Sequence, residues 1–221
     1  MKLTSPIVGT QWLAEHLDAP GLRIFDASVY LTVNPDGPGY ITESGLARWR
    51  EAHVPGANFL EMLTEFSDNS QPSPMMMHPP ARFAELCSRH GIGDESTVVV
   101  YSGQTMMWSA RMWWMLRTVG FTNAAILDGG WEKWVREGRP TSTEDKPYAP
   151  ARFTPRPQAT MWADKQEVLG VIHDPSVCTI NALQPDVYDG RINRYGRAGQ
   201  LHAPAAGHDV GRQAGSAGRH P

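Results

Sequence analysis

Residues Thr97-Val-Val-Val-Tyr101 form an uninterrupted, mostly β-branched run. A sheet with one wet face alternates apolar and polar residues, so apolar side chains at successive positions point to a parallel sheet covered by helices on both sides. The flanking sequence supplies such helices. Ala81–His90 sets Phe83, Leu86, Cys87 and His90 at helical spacing and is closed by Gly91. A turn at Ser102-Gly103 leads into a helix from Met107 to Thr118, the strand Ala124–Leu127 follows Gly120, and Gly129-Gly130 opens a helix from Trp131 to Arg136. Upstream, Thr10 reads as the N-cap of a helix over Gln11–Leu17, followed by Gly21 and the strand Leu22–Phe25. A second helix is expected over Glu43–Ala52 and a short strand at Asn58–Leu60. Strands alternating with helices predict a three-layer α/β sandwich with a parallel sheet.

Residues 141–158 lack apolar periodicity and carry Pro147, Pro150, Pro155 and Pro157, which cannot donate to a strand ladder. They read as a linker after a domain over 1–140. The opening theme then returns. Trp162 stands 150 positions after Trp12, Thr179–Ala182 stands 155 after Ile24–Ala27, and Arg194–Ala198 echoes Arg48–Ala52. Three echoes in one order predict the start of a second copy over 159–195, with a strand through Val177–Ile180. From 196 to 221 Gly, Ala, Arg, His and Pro dominate and a disordered tail is expected. At roughly 150 residues per domain, 221 residues make about one and a half domains.

Charge names no partner: 20 basic against 23 acidic residues give a net charge of −3, with no field to gather nucleic acid or an anionic membrane. No apolar run approaches the ~18 residues of a membrane span, and Pro6 interrupts the start before a secretory core can form, so a cytoplasmic location is expected. Cys87 and Cys178 stand in no C-x-x-C or metal-ligand spacing, so neither a disulfide nor a metal site is expected.

Trp12–Leu17, Ile24–Ser28, Ala52–Ala57, Val98–Tyr101, Ala110–Leu116 and Leu127–Trp131, with Trp134 and Gly138, resemble in content and order the motifs of the two-domain rhodaneses. These are thiosulfate and 3-mercaptopyruvate sulfurtransferases. The resemblance implies a three-layer α/β/α domain with a five-stranded parallel sheet, followed here by an incomplete second copy. It also implies a chemistry. A cysteine thiolate takes sulfane sulfur from thiosulfate or mercaptopyruvate as a persulfide and hands it to cyanide or another thiophile. No cofactor is implied, because the sulfur rides on the enzyme's own cysteine. In the family that cysteine begins a tight loop between a buried strand and a helix of the C-terminal domain, a loop the second copy here does not reach. In the first domain the matching position is Ser102, whose oxygen cannot carry sulfane sulfur as a thiol does. No catalytic residue is therefore assigned, and Ser102 reads as a helix-entry turn.

Other residues are candidates by the same resemblance. Glu61 and His78 fall near positions where mercaptopyruvate-type relatives carry an acid and a histidine facing the cleft. Arg111 reads either as an anion holder at the loop mouth or as a salt-bridged helix residue. Arg191, Arg194 and Arg197 are cations close to where the second copy would contact substrate, although its strand ends Asn181-Ala-Leu183 where the family has Asp-x-Arg. Cys87 on an apolar stripe and Cys178 inside a strand are expected to be buried and inert. His53 is expected to make a turn hydrogen bond and Gly129-Gly130 a turn. The helix carrying Trp108, Trp113 and Trp114 needs two apolar faces, and with an incomplete second domain one of these is expected at an open interdomain or partner surface that favours self-association.

Three readings result. The first is a rhodanese by descent, inactive as written, whose full-length form acts on a small sulfur-containing substrate. The second is a non-catalytic rhodanese-like binding or scaffold module. The third is a frame-shifted record of an active enzyme, suggested by Gly199–Ala206 and the composition after it.

Overall fold

A computed structural model describes residues 1–37, 39–183, 185–189 and 191. In chain order the elements are β1 (Ile7–Val8), α1 (Thr10–Glu15), β2 (Leu22–Asp26), β3 (Val29–Val33), β4 (Tyr40–Ser44), α2 (Leu46–Glu51), β5 (Ala57–Phe59), α3 (Pro80–Arg89), β6 (Thr97–Tyr101), α4 (Met107–Thr118), β7 (Ala124–Leu127), α5 (Gly130–Arg136), α6 (Lys165–Val171) and α7 (Pro185–Tyr188). Five strands make one parallel sheet in the order β1-β7-β6-β2-β5. β3 and β4 make a separate two-stranded sheet. Among the described residues no helix is long and apolar enough to cross a membrane.

Every residue of β6 is buried, and the pleat sends its side chains alternately to two cores. Val98 and Val100 join Phe25, Phe83, Leu86, Cys87, Met112 and Leu116, beneath α3 and α4. Val99 and Tyr101 join Leu13, Ile24, Leu127 and Trp134, beneath α1 and α5. The expected α/β architecture with a five-stranded parallel sheet is present. Element ends differ in instructive ways. Gly9, not Thr10, caps α1, and the Thr10 hydroxyl instead donates to Glu137 Oε2 at 2.5 Å. The helix expected over Glu43–Ala52 starts at Leu46, because Glu43 and Ser44 finish β4.

The segment expected to be a linker, 141–158, is a strap fixed to the domain. His53 and Ser142 exchange backbone hydrogen bonds of 2.9 Å, Ala151 N–H donates to Ser88 O, Asp94 N–H to Arg152 O, and Arg156 N–H to Val119 O at 2.7 Å. The Tyr148 hydroxyl donates to Gly56 O at 2.6 Å and accepts Ile24 N–H at 3.0 Å, while Phe153 is buried against Phe121. Prolines that cannot join a ladder do not prevent this, since the remaining N–H groups and carbonyls find partners on loops. Gly91 clears the path: it sits at φ +75°, and a Cβ there would lie 2.4 Å from Tyr148 Cβ. Gly91→Ala is expected to cost about 2–4 kcal/mol in urea unfolding, from backbone strain and overpacking together.

The chain divides into two compact units, Met1–Leu31 with Thr42–Gly170, and Thr32–Ile41 with Val171–Pro221. The strand expected at Val177–Ile180 is absent: those residues have no regular secondary structure, Ile180 is 83% exposed, and Cys178 is exposed where burial was expected. A parallel strand needs neighbours for its backbone groups, and none is paired with this one among the described residues. The tail expected to be disordered lies outside the described residues.

Candidate active site

The strands β2 and β6 deliver Asp26 and Tyr101 side by side at the C-terminal end of the sheet, where parallel α/β folds carry their sites. The loop from Ser102 to Met106 then turns the chain into α4. Ser102 is 2% exposed; its hydroxyl donates inward to Thr105 O at 2.7 Å and accepts Ser109 N–H at 3.4 Å. Its carbonyl accepts Trp131 N–H at 3.3 Å. Gly130, at φ +55°, makes this approach feasible, because a Cβ there would stand 2.3 Å from Ser102 O.

Below the loop lies a buried polar chain. Gly103 N–H donates to Ser28 Oγ at 2.7 Å, Ser28 bonds the Asp26 carboxyl through side chain and backbone, and the Tyr101 phenol bonds the same carboxyl. Burial pushes the Asp26 carboxyl up to about 6 despite these hydrogen bonds and the nearby His53. Burial likewise pushes the Tyr101 phenol well up, with the Asp26 charge adding to it. At the surface, Gln104 N–H donates to Glu132 Oε1 at 2.5 Å. Beside it a groove of about 520 Å³ sets Arg48 and Arg136 against Glu51 and Glu132, so its cations are matched by anions.

Among the described residues, those expected at the cleft are not gathered around Ser102 by any hydrogen bond. Glu61 accepts the Ser44 hydroxyl at 2.5 Å and Leu63 N–H at 3.1 Å. His78 Nε2 lies 2.9 Å from Glu65 O, and Arg111 donates to Met75 O, so both brace the loop before α3. Among the described residues Arg111 has no ion-pair partner, its Nε is buried without a hydrogen bond, and desolvation lowers its pKa. Arg191 is ion-paired with Asp186 and Asp189 at 2.7 and 2.8 Å. Arg194 and Arg197 lie outside the described residues. Trp108 is buried, Trp113 is half-buried and donates to Ala124 O at 3.0 Å, and Trp114 is 38% exposed. His53 is buried, stacked on Trp49, with its ring nitrogens 2.6 Å from Trp49 O and 3.1 Å from Glu144 O. Among the described residues no group of three or more His, Cys, Asp or Glu is placed to hold a metal ion.

Sequence reasoning passed over Asp26, Ser28, Gln104 and Glu132. A carboxylate at the end of a buried parallel strand, with a serine two residues on, was a usable signal for the first pair. Nothing in the pattern marks the exposed Gln104.

A model of the rhodanese-like domain matches residues 9–137. Thiosulfate sulfurtransferase of Cricetulus griseus is 37% identical over 153 residues, 66% of this chain and 48% of that protein. Human 3-mercaptopyruvate sulfurtransferase is 34% identical over 158 residues, 69% of this chain and 50% of that protein. The chain thus spans about half the length of these curated relatives. Among solved structures, SseA from Escherichia coli, described as a 3-mercaptopyruvate sulfotransferase, superposes with a TM-score of 0.76 at 26% identity, covering 90% of this chain and 73% of that one. The residues matched by the domain model include the sheet strands that bring Asp26, Tyr101 and Ser102 together, and the chain belongs to the rhodanese family.

Proposed function

We propose that this chain carries the non-catalytic rhodanese-like domain of a sulfurtransferase that moves sulfane sulfur from thiosulfate or 3-mercaptopyruvate to a thiophile such as cyanide, and that the chain alone does not perform the transfer. One observation carries the second half of this reading: no thiol stands at the loop after β6. A persulfide needs a thiolate nucleophile. Position 102 is a buried serine, and Cys87 is 0% exposed in the core with its thiol pushed well up by burial. Cys178 is exposed, on residues without regular secondary structure rather than at the start of a strand-to-helix loop. The relatives' activities support the first half.

The test is direct. Thiocyanate formed from thiosulfate and cyanide, and pyruvate formed from mercaptopyruvate with a thiol, are expected at the rate of a Cys87→Ser/Cys178→Ser variant. Turnover that Cys178→Ser or Cys87→Ser abolishes overturns the reading.

The scaffold alternative has one observation in its favour. Met107 and Trp114, both exposed, share a face of α4 with Ala110 and Arg111 between them, and two exposed apolar side chains on one face favour self-association. Sedimentation that shows a concentration-dependent dimer, lost in Trp114→Ser, would favour it.

A further inference from the structure

The loop that would present a nucleophile is tied down from three sides, and the ties converge on one residue. Gln104 is one of two non-glycine residues with a left-handed backbone, at φ +61°, among the described residues. Such a conformation persists only where its surroundings enforce it. Here the side chain pairs with β3 as a strand would: its Nε2 donates to Leu31 O at 3.0 Å and its Oε1 accepts Leu31 N–H at 2.7 Å. Its own N–H is taken by Glu132, and the turn closes with Thr105 N–H on Gly103 O at 2.7 Å. At Gly103 a Cβ would lie 2.5 Å from the Tyr30 hydroxyl and 3.3 Å from Glu132 Oε1, so little space remains above the loop.

We propose that Gln104 is a clasp that locks the β6–α4 loop shut, so that residue 102 is shielded by loop conformation as well as by its chemistry. This rests on the reading that the domain is non-catalytic, and it predicts that a thiol at 102 alone does not restore reactivity. The side chain at 102 points inward to Thr105 O and Ser109 N–H, and it cannot turn outward while Gln104 holds the loop to β3 and α5.

The test uses the full chain with Cys178→Ser, so that an exposed thiol does not dominate. Ser102→Cys in that background is expected to react with 5,5′-dithiobis(2-nitrobenzoate) far more slowly than Cys178 does in the unaltered chain. Adding Gln104→Ala is expected to raise the rate at residue 102 about 5-fold to 150-fold, the range that two net hydrogen bonds span. Buried Cys87 is the internal control and is expected to stay unreactive throughout. Equal rates for residue 102 and Cys178, no response to Gln104→Ala, or Cys87 rising in step would each overturn the clasp. Should Ser102→Cys fail to fold, hydrogen exchange on Gln104→Ala alone decides. The Gly103 and Ser109 amides are expected to exchange faster while Val98–Val100 do not, and unchanged protection at Gly103 overturns the proposal. Sulfur-transfer assays on the unaltered chain test the functional reading separately.

Discussion

A chain ending at Pro140 is expected to lose its cooperative unfolding transition, whereas one ending at Gln158 keeps most of the stability of the full chain. Residues 141–158 contribute half-buried Tyr148 and buried Phe153, and removing a large buried aromatic costs about 3–5 kcal/mol. They also satisfy backbone groups at His53, Ser88, Asp94, Thr118 and Val119, which truncation would leave to water or bury unpaired. Tyr148 further carries the Arg23 guanidinium on its ring at 4.7 Å. Together these losses match the whole stability of an ordinary domain, about 5–15 kcal/mol. Circular dichroism melts of the two truncations and the full chain check this. A chain ending at 140 that melts at the same temperature as one ending at 158 would return the segment to the status of a spacer.

Replacing Asp26 by asparagine is expected to remove a pH dependence from stability. The folded carboxyl titrates at about 6 against an ordinary 3.8, raised chiefly by burial. The folded state therefore holds this proton more tightly than the unfolded chain does. Its stabilising contribution is complete below about pH 4 and is lost as the pH rises through 6. At about 1.36 kcal/mol per pH unit, the full span is about 3 kcal/mol. The substituted amide carries no such charge, while its carbonyl can still accept Ser28 N–H, now 2.8 Å from Asp26 Oδ1. Urea unfolding at pH 4, 5, 6 and 7.5 should show the wild type losing about 2 kcal/mol of that span relative to Asp26→Asn. Carboxylates with lowered values, such as Glu65 beside His90, slope the other way but cancel in the difference. Parallel curves for the two proteins would mean that Asp26 is not held protonated.

What was legible in the sequence followed short-range pattern. The apolar run of β6, the i, i+3, i+4 stripe of α3 and the glycines closing α3 and α4 place most of the sheet and its cover, because each records burial of a local face. β3 and β4 were missed although Val29–Val33 and Tyr40–Ser44 have strand composition and flank Asn34-Pro-Asp-Gly37, because the helical reading of Glu43–Ala52 absorbed the end of β4. The strap was missed for a different reason. Its contacts join residues far apart, Tyr148 to Gly56 or Arg156 to Val119, and proline-rich sequence carries no period that reports them. At the site, Ser102 was found through its place after a buried strand, whereas Gln104 acts through backbone geometry that its exposed side chain does not advertise.

The order of the sheet has a consequence for how the chain is made. Among the described residues β1, at residues 7 and 8, pairs only with β7, through Ile7 with Ile126 and Val8 with Leu127. β1 thus has no partner in this sheet until nearly 120 further residues have been synthesised. β2 can pair with β5 early, but its other edge waits for β6, its partner from Leu22 to Asp26. Such long closures slow folding and leave early strands open to wrong pairings meanwhile. The β1 edge is therefore the last of this sheet to be sealed, and the domain remains unfinished as a fold until Leu127 has emerged.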